Sequence, residues 1–129
     1  MTEAYIVDAY AWVEYLDGSA RGVLVRNILE NANNIIYTCA VTVAEVVSKF
    51  IRRGYDPEVA FSAITSNSTI VKVDEDLSKT AGEIHAKIKR KIKDFGLADA
   101  FVLASAQKHR TKVLTGDPHF KGIPEAILV

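Results

Sequence analysis

Short apolar runs alternate along the chain with longer segments in which apolar residues recur every three or four positions. The short runs, typical of buried strands, are residues 4–7, 35–37, 69–73, 112–115 and 126–129. The longer segments, typical of amphipathic helices, are residues 9–17, 20–32, 42–53, 56–66, 76–92 and 97–109. Alternating strands and helices favour βα units. We therefore predict an α/β fold: a three-layer α/β/α sandwich with a central parallel sheet of four to five strands.

Residues that begin or end helices support these boundaries. Asp17-Gly18-Ser19 ends the first helical segment, Gly96 separates the last two, and Pro57 lies near a first helical position. Thr42 is expected to open the helix that runs to about Arg53. In the helix at 20–32, the predicted apolar face consists of Val23, Leu24, Ile28 and Leu29.

Length and composition narrow the class of protein. A chain of 129 residues suits one domain, here residues 1–129. Sixteen basic residues balance sixteen acidic ones, so no global charge favours nucleic-acid or membrane binding. Cys39 is the only cysteine, which excludes an intrachain disulfide and favours a reducing, cytoplasmic setting. No signal-peptide pattern is evident, and no apolar run approaches the ~18 residues of a membrane span.

Four acidic residues fall at the ends of predicted elements. Asp8 follows the first strand and Asp117 follows the strand at 112–115, while Glu45 and Asp99 lie near helix starts. Ligands of parallel α/β sheets bind outside the carboxyl ends of the strands. Carboxylates that converge there are costly unless a cation neutralises them. Three or four carboxylates suit Mg²⁺ or Mn²⁺ better than zinc.

Each acid also has a purely structural explanation. Asp8 could cap the next helix, and Glu45 could close a capping box that begins at Thr42. Asp99 would be stabilised by the dipole of its helix, and Asp117 could belong to a common turn. Each of these explanations accounts for one acid, whereas a shared site accounts for all four.

The chain offers no cysteine–histidine set with the spacing of a zinc site. The three histidines lie far apart in the sequence and on different elements: His85, His109 and His119. We interpret each as a surface or turn residue and not as a metal ligand.

Four short motifs together resemble the PIN-domain ribonucleases, and most closely the VapC-type toxins of prokaryotic toxin–antitoxin pairs. The motifs are Asp8 after the first strand, VAEV at 43–46, LADA at 97–100 and TGDPHF at 115–120. Each motif is weak alone, but their order and spacing are more specific, and the resemblance covers essentially the whole chain.

The resemblance implies a parallel sheet with helices on both faces and an acidic cleft that holds Mg²⁺ or Mn²⁺. By this resemblance the metal ligands are Asp8, Glu45, Asp99 and Asp117. Thr115 matches the hydroxyl-bearing residue that often precedes the last acid in the family. It also implies RNA as substrate, a homodimer and an antitoxin partner. The expected function is therefore a metal-dependent endoribonuclease, the toxin of a VapBC-type pair. The alternative is a catalytically weak or inactive PIN-fold module that binds RNA or protein.

One position departs from the family pattern. The family often has Ser, Thr or Asn directly after the first acid, but Ala9 and Tyr10 follow Asp8 here. A supporting hydrogen bond is therefore expected to be missing, although no metal ligand is lost.

Two basic clusters could hold RNA phosphates. The denser one comprises Lys87, Lys89, Arg90, Lys91 and Lys93, and the other comprises Arg52 and Arg53. Cations are also favoured at the carboxyl ends of helices, where both clusters lie. The sequence leaves both interpretations open.

Two other protein classes of similar layering fit less well. A phospho-acceptor receiver domain usually has an acidic pair near the first strand, whereas Asp8 stands alone and the acidic run is at 74–76. A phosphatase with an aspartyl nucleophile usually has a second aspartate two positions later, where this chain has Tyr10.

Overall fold

Between residues 3 and 129, five parallel strands form one central sheet. The computed structural model describes residues 3–129, so Met1 and Thr2 of the predicted domain lie outside the described residues. The strands are β1 (Glu3–Val7), β2 (Asn34–Cys39), β3 (Thr69–Val71), β4 (Lys112–Thr115) and β5 (Ala126–Leu128). Their order is β3-β2-β1-β4-β5, with every neighbouring pair parallel. The predicted three-layer fold with a parallel sheet is confirmed.

Helices connect the strands and cover both faces of the sheet. Between residues 3 and 129 they are α1 (Ala9–Asp17), α2 (Ala20–Leu29), α3 (Ala40–Arg52), α4 (Pro57–Asn67), α5 (Glu75–Lys89) and α6 (Leu97–His109). A short 3₁₀ turn, Pro118–Phe120, follows β4. None of the described helices has both the length and the apolar character that a membrane span requires.

Side chains of the central strands alternate between two hydrophobic cores. Ile6 and Val113 belong to the core under α5 and α6. Val7 and Leu114 belong to the opposite core, which contains Trp12 of α1. Because successive strand residues point to opposite faces, a sheet buried on both sides needs apolar residues at consecutive positions. This requirement explains why the strands appear in the sequence as uninterrupted apolar runs.

Several details differ from the sequence predictions. Three elements end earlier than predicted: α2 at Leu29 and not 32, β3 at Val71 and not 73, and α5 at Lys89 and not 92. Helix α3 begins at Ala40 with Cys39 as its N-cap, so the prediction that Thr42 opens this helix is wrong. Thr42 is a buried residue within α3, and the alternative explanation of Glu45 as part of a capping box with Thr42 is therefore excluded. The predicted face of α2 is also wrong in part, since Val23 and Leu24 are exposed and Val25 is buried.

Close packing of α2 against α1 explains which face of α2 is buried. A Cβ atom added at Gly22 would lie 2.1 Å from the carbonyl oxygen of Glu14. The glycine therefore lets the two helix backbones approach, and Val25, three residues later, is on the same side of α2. Val23 and Leu24 consequently face away from α1. The prediction failed because it assigned the buried side of α2 to its large apolar residues, whereas the contact with α1 is made at Gly22.

Candidate active site

The carboxyl ends of β1 and β4 bring two of the acids together. The two strands are adjacent and parallel, with Val7 opposite Leu114. The backbone N–H of Asp8 donates to the Leu114 carbonyl at 3.2 Å, which continues the pairing one residue beyond β1. Asp8 and the turn that carries Asp117 therefore leave the sheet side by side.

Asp8 is the most buried of the four acids, with only 4% of its surface exposed. One carboxylate oxygen accepts the N–H of Ala11 at 2.9 Å, so Asp8 does cap α1. The other oxygen accepts the hydroxyl of Thr115. That hydroxyl in turn accepts the N–H of Asp117 at 2.9 Å. Thr115 thus links the first and last acids through its hydroxyl.

Helices α3 and α6 bring the other two acids to the same place. Asp99 is in the first turn of α6, and its carboxylate accepts the N–H of Gly96 at 3.1 Å. Glu45 is in the second turn of α3. Asp8, Glu45, Asp99 and Asp117 all line one cleft of about 580 Å³. The structure therefore brings the whole predicted quartet together.

Burial, with a smaller contribution from mutual repulsion, raises the pKa values of three of the acids. Burial raises the pKa of Asp8 to about 7. The hydrogen bonds from Thr115 and Ala11 lower this pKa, whereas the charges of Asp117 and Asp99 raise it further. Loss of hydration in the cleft raises the pKa of Glu45 to about 7, with further contributions from Asp99 and Asp117. The pKa of Asp99 is also raised, first by burial. The cleft thus concentrates negative charge that a cation would stabilise.

The donor set fits a hard divalent cation. Carboxylate oxygens are the ligands that Mg²⁺ and Mn²⁺ take in proteins. A group of donor atoms from Asp99, Asp117 and His119 lies within 4.8 Å of one another. The imidazole Nδ1 of His119 is 3.3 Å from the Asp117 carboxylate. His119 does lie in a turn, as predicted, but that turn places it beside the acids.

Two further residues of the cleft were missed at the sequence level. Lys49 lies four residues after Glu45, on the same face of α3, and its charge opposes the rise in the Glu45 pKa. The spacing of four could have revealed it. Tyr10 also lines the cleft. A Cβ added at Gly116 would lie 2.3 Å from the Tyr10 ring, so only glycine fits beneath this ring.

The basic clusters have different positions relative to the cleft. Arg52 lines it, whereas Arg53 forms a 3.3 Å ion pair with Asp17. Lys87 and Lys91 line a separate groove of about 380 Å³ beside α5. The remaining cations of that run are also absent from the residues that line the acidic cleft: Lys89, Arg90 and Lys93. Arg90 follows α5 directly, as the helix-dipole interpretation expects.

Comparison with known proteins identifies the family. The family model of the PIN domain matches residues 5–126, and the chain therefore belongs to the PIN domain family. No protein with a curated description matches the chain in sequence.

Solved structures of toxin–antitoxin proteins share the fold. A toxin–antitoxin complex from Klebsiella pneumoniae is 22% identical with a TM-score of 0.74, covering 95% of this chain and 95% of its own. VapC20 of Mycobacterium tuberculosis, a toxin that cleaves the sarcin–ricin loop, is 18% identical with a TM-score of 0.76 and coverage of 93% and 95%. VapBC2 of Rickettsia felis, bound to a DNA fragment of its promoter, is 19% identical with a TM-score of 0.71 and coverage of 98% and 97%.

Proposed function

We propose that this protein is a metal-dependent endoribonuclease and the toxin of a VapBC-type toxin–antitoxin pair, with the whole chain acting as one nuclease domain. One observation carries the proposal: four acids, each from a different element or turn of the fold, line a single cleft at the carboxyl ends of the strands. Capping hydrogen bonds account for Asp8, Asp99 and Asp117 one at a time, but they do not explain why these three acids and Glu45 line the same cleft. Membership of the PIN domain family supports the same reaction class.

The four acids would hold Mg²⁺ or Mn²⁺. Asp8 and Asp99 are the proposed principal ligands, and Glu45 and Asp117 complete the site. When bound, the ion supplies an acidified water molecule and stabilises charge on the phosphate oxygens. The raised pKa values of Asp8 and Glu45 support this assignment, because a cation would relieve the repulsion that helps to raise them.

The protein's own side chains orient this site and the substrate. The Ala11 N–H and the Thr115 hydroxyl fix both oxygens of Asp8, and the same hydroxyl positions Asp117. Lys49 and Arg52, on the α3 wall of the cleft, would contact phosphates on either side of the cleaved bond. Water adds to phosphorus and the 3′ oxygen leaves, which produces a 3′-hydroxyl and a 5′-phosphate.

Substrate and partners are proposed by analogy with the structural neighbours. RNA is favoured because VapC20 cleaves the sarcin–ricin loop, although its 18% identity establishes only the fold. An antitoxin is favoured because several neighbours are toxin–antitoxin complexes. Exposed Tyr55 and Val59 line a groove of mixed polar and apolar character, together with Asp17 and Asp56, that a protein partner could cover. We also propose that the protein forms a homodimer and acts in the cytoplasm.

The test is cleavage of a defined panel of RNAs by purified protein in Mg²⁺ or Mn²⁺. The wild type is compared with Asp99→Asn, with Asp94→Asn as the matched control, because Asp94 is an exposed aspartate in the loop before α6. We expect cleavage by wild type and Asp94→Asn, and loss of cleavage in Asp99→Asn and in EDTA. Cleavage that survives Asp99→Asn would contradict the proposal.

The second candidate, a PIN-fold module that binds RNA or protein without efficient cleavage, is favoured by the two residues that follow Asp8. Ala9 provides no hydroxyl beside Asp8, and the Tyr10 ring occupies part of the cleft wall. Metal binding without cleavage of any RNA in the panel would favour this candidate.

A further inference from the structure

The turn after β4 holds His119 in a fixed place at the edge of the acidic cleft. Asp117 caps this turn by accepting the His119 N–H at 2.9 Å. The next residue, Phe120, is fully buried, with its ring centroid 5.8 Å from that of Phe95. A hydrogen bond before His119 and a core aromatic after it therefore restrain the backbone that carries the imidazole.

The imidazole lies within reach of a cation bound by the neighbouring carboxylates. Its Nδ1 is 3.3 Å from the Asp117 carboxylate, and donor atoms of His119, Asp117 and Asp99 lie within 4.8 Å of one another. An ion about 2.1 Å from each ligand keeps adjacent ligands about 3 Å apart and opposite ligands about 4 Å apart. The three side chains therefore need only small movements to share one ion.

We propose that His119 is a ligand of the metal ion held by Asp99 and Asp117, and that its nitrogen makes the site prefer a first-row transition ion such as Mn²⁺ over Mg²⁺. This inference rests on the metal site of the proposed function. The chemical reason is that Mg²⁺ is bound almost entirely by oxygen, whereas imidazole nitrogen is a good ligand for first-row transition ions.

A different role for His119 must be separated from ligation. The same 3.3 Å contact would let the imidazole hydrogen-bond to Asp117 and orient that carboxylate without touching the ion. Loss of activity in a His119 variant would not distinguish the two roles. Direct detection of nitrogen bound to the ion distinguishes the two roles, because a histidine that only orients Asp117 leaves the ion with oxygen ligands only.

The experiment is pulsed electron paramagnetic resonance of the full chain loaded with Mn²⁺, together with calorimetric titrations of Mn²⁺ and Mg²⁺. The variants are His119→Gln and His119→Asp, and His85→Gln is the matched control on α5. We expect ¹⁴N coupling to Mn²⁺ in wild type and His85→Gln, and none in His119→Gln. Mn²⁺ affinity should fall about tenfold or more in His119→Gln, and Mg²⁺ affinity should change much less. His119→Asp should lose the coupling and shift the preference toward Mg²⁺.

Two results with the wild type would overturn the inference, and they can be told apart. Mn²⁺ bound to the wild type without ¹⁴N coupling would show that His119 is not a ligand, and would leave the carboxylate site intact. Wild type that binds no Mn²⁺ at all would refute the inference together with the metal site of the proposed function. The wild-type spectrum decides between these results without depending on the folding of any variant.

Discussion

Replacement of Asp8 by asparagine should change how the stability of the metal-free protein depends on pH. Asp8 has a pKa of about 7 in the folded protein, against an ordinary value of 3.8 for an aspartate side chain. Asparagine keeps an oxygen for the N–H of Ala11 but carries no titrating charge. The folded wild type binds the Asp8 proton more tightly than the unfolded chain. Asp8 therefore lowers the free energy of unfolding as the pH rises above 3.8, and this loss is complete once the pH exceeds 7.

The size of the effect follows from linkage. One pKa unit corresponds to about 1.4 kcal/mol, so the shift of Asp8 lowers the free energy of unfolding by about 4 kcal/mol at pH 8. At pH 5, which is only about one pH unit above 3.8, the folded carboxyl is still protonated and the loss is about 2 kcal/mol. Between pH 5 and pH 8 the free energy of unfolding should therefore fall by roughly 2–3 kcal/mol more in the wild type than in Asp8→Asn.

The assay is urea unfolding in EDTA at pH 5 and pH 8, followed by circular dichroism. Because the comparison is between two pH values, a constant cost of altering the hydrogen bonds of Asp8 cancels. Asp94→Asn, at an exposed aspartate, should behave like wild type. Equal pH dependence in wild type and Asp8→Asn would refute the burial argument. Saturating Mn²⁺ at pH 8 should restore more stability to the wild type than to Asp8→Asn.

Three further predictions follow from individual contacts. Thr115→Val removes the hydroxyl between two acids and should lower the free energy of unfolding by about 1–3 kcal/mol in the same urea assay. Thr111→Val is the control and should lower it less, because the buried Thr111 hydroxyl has no hydrogen-bond partner among residues 3–129. Gly116→Ala forces a Cβ into the tyrosine ring packed there and should cost about 1–3 kcal/mol by thermal unfolding. Arg52→Gln in an inactive background should reduce the slope of log Kd for RNA against log salt concentration by about one unit. Arg53→Gln should reduce this slope by less, because Arg53 is already paired with Asp17. Equal slopes in both variants would reject the role of Arg52.

Much of the fold could be predicted because the sheet is buried on both faces. Consecutive apolar residues such as Ile6 and Val7 fill opposite cores, so each strand is distinct from the helices around it. Parallel strands then place their carboxyl ends at one edge, which is why Asp8 and Asp117 could be predicted to meet.

The rest depended on side-chain directions that no local pattern determines. Thr42 looks like a helix cap, but Cys39 at the end of β2 takes that place, because α3 follows the strand without a loop. Lys49 and Tyr10 reach the cleft only because of how α3 and α1 pack on the sheet. His119 was interpreted as a turn residue, and nothing in the sequence shows that its turn faces the acids.

The chemistry of the cut RNA ends tests the central claim most directly. Purified wild type would cleave an RNA in H₂¹⁸O with Mn²⁺, and mass spectrometry would identify both new ends. Hydrolysis by a metal-activated water predicts a 5′-phosphate that carries ¹⁸O and a 3′-hydroxyl, with no product from Asp99→Asn prepared in the same way. A 5′-hydroxyl and a 2′,3′-cyclic phosphate without ¹⁸O would mean that the RNA's own 2′-hydroxyl attacked the phosphate. That result would contradict hydrolysis in the acidic cleft.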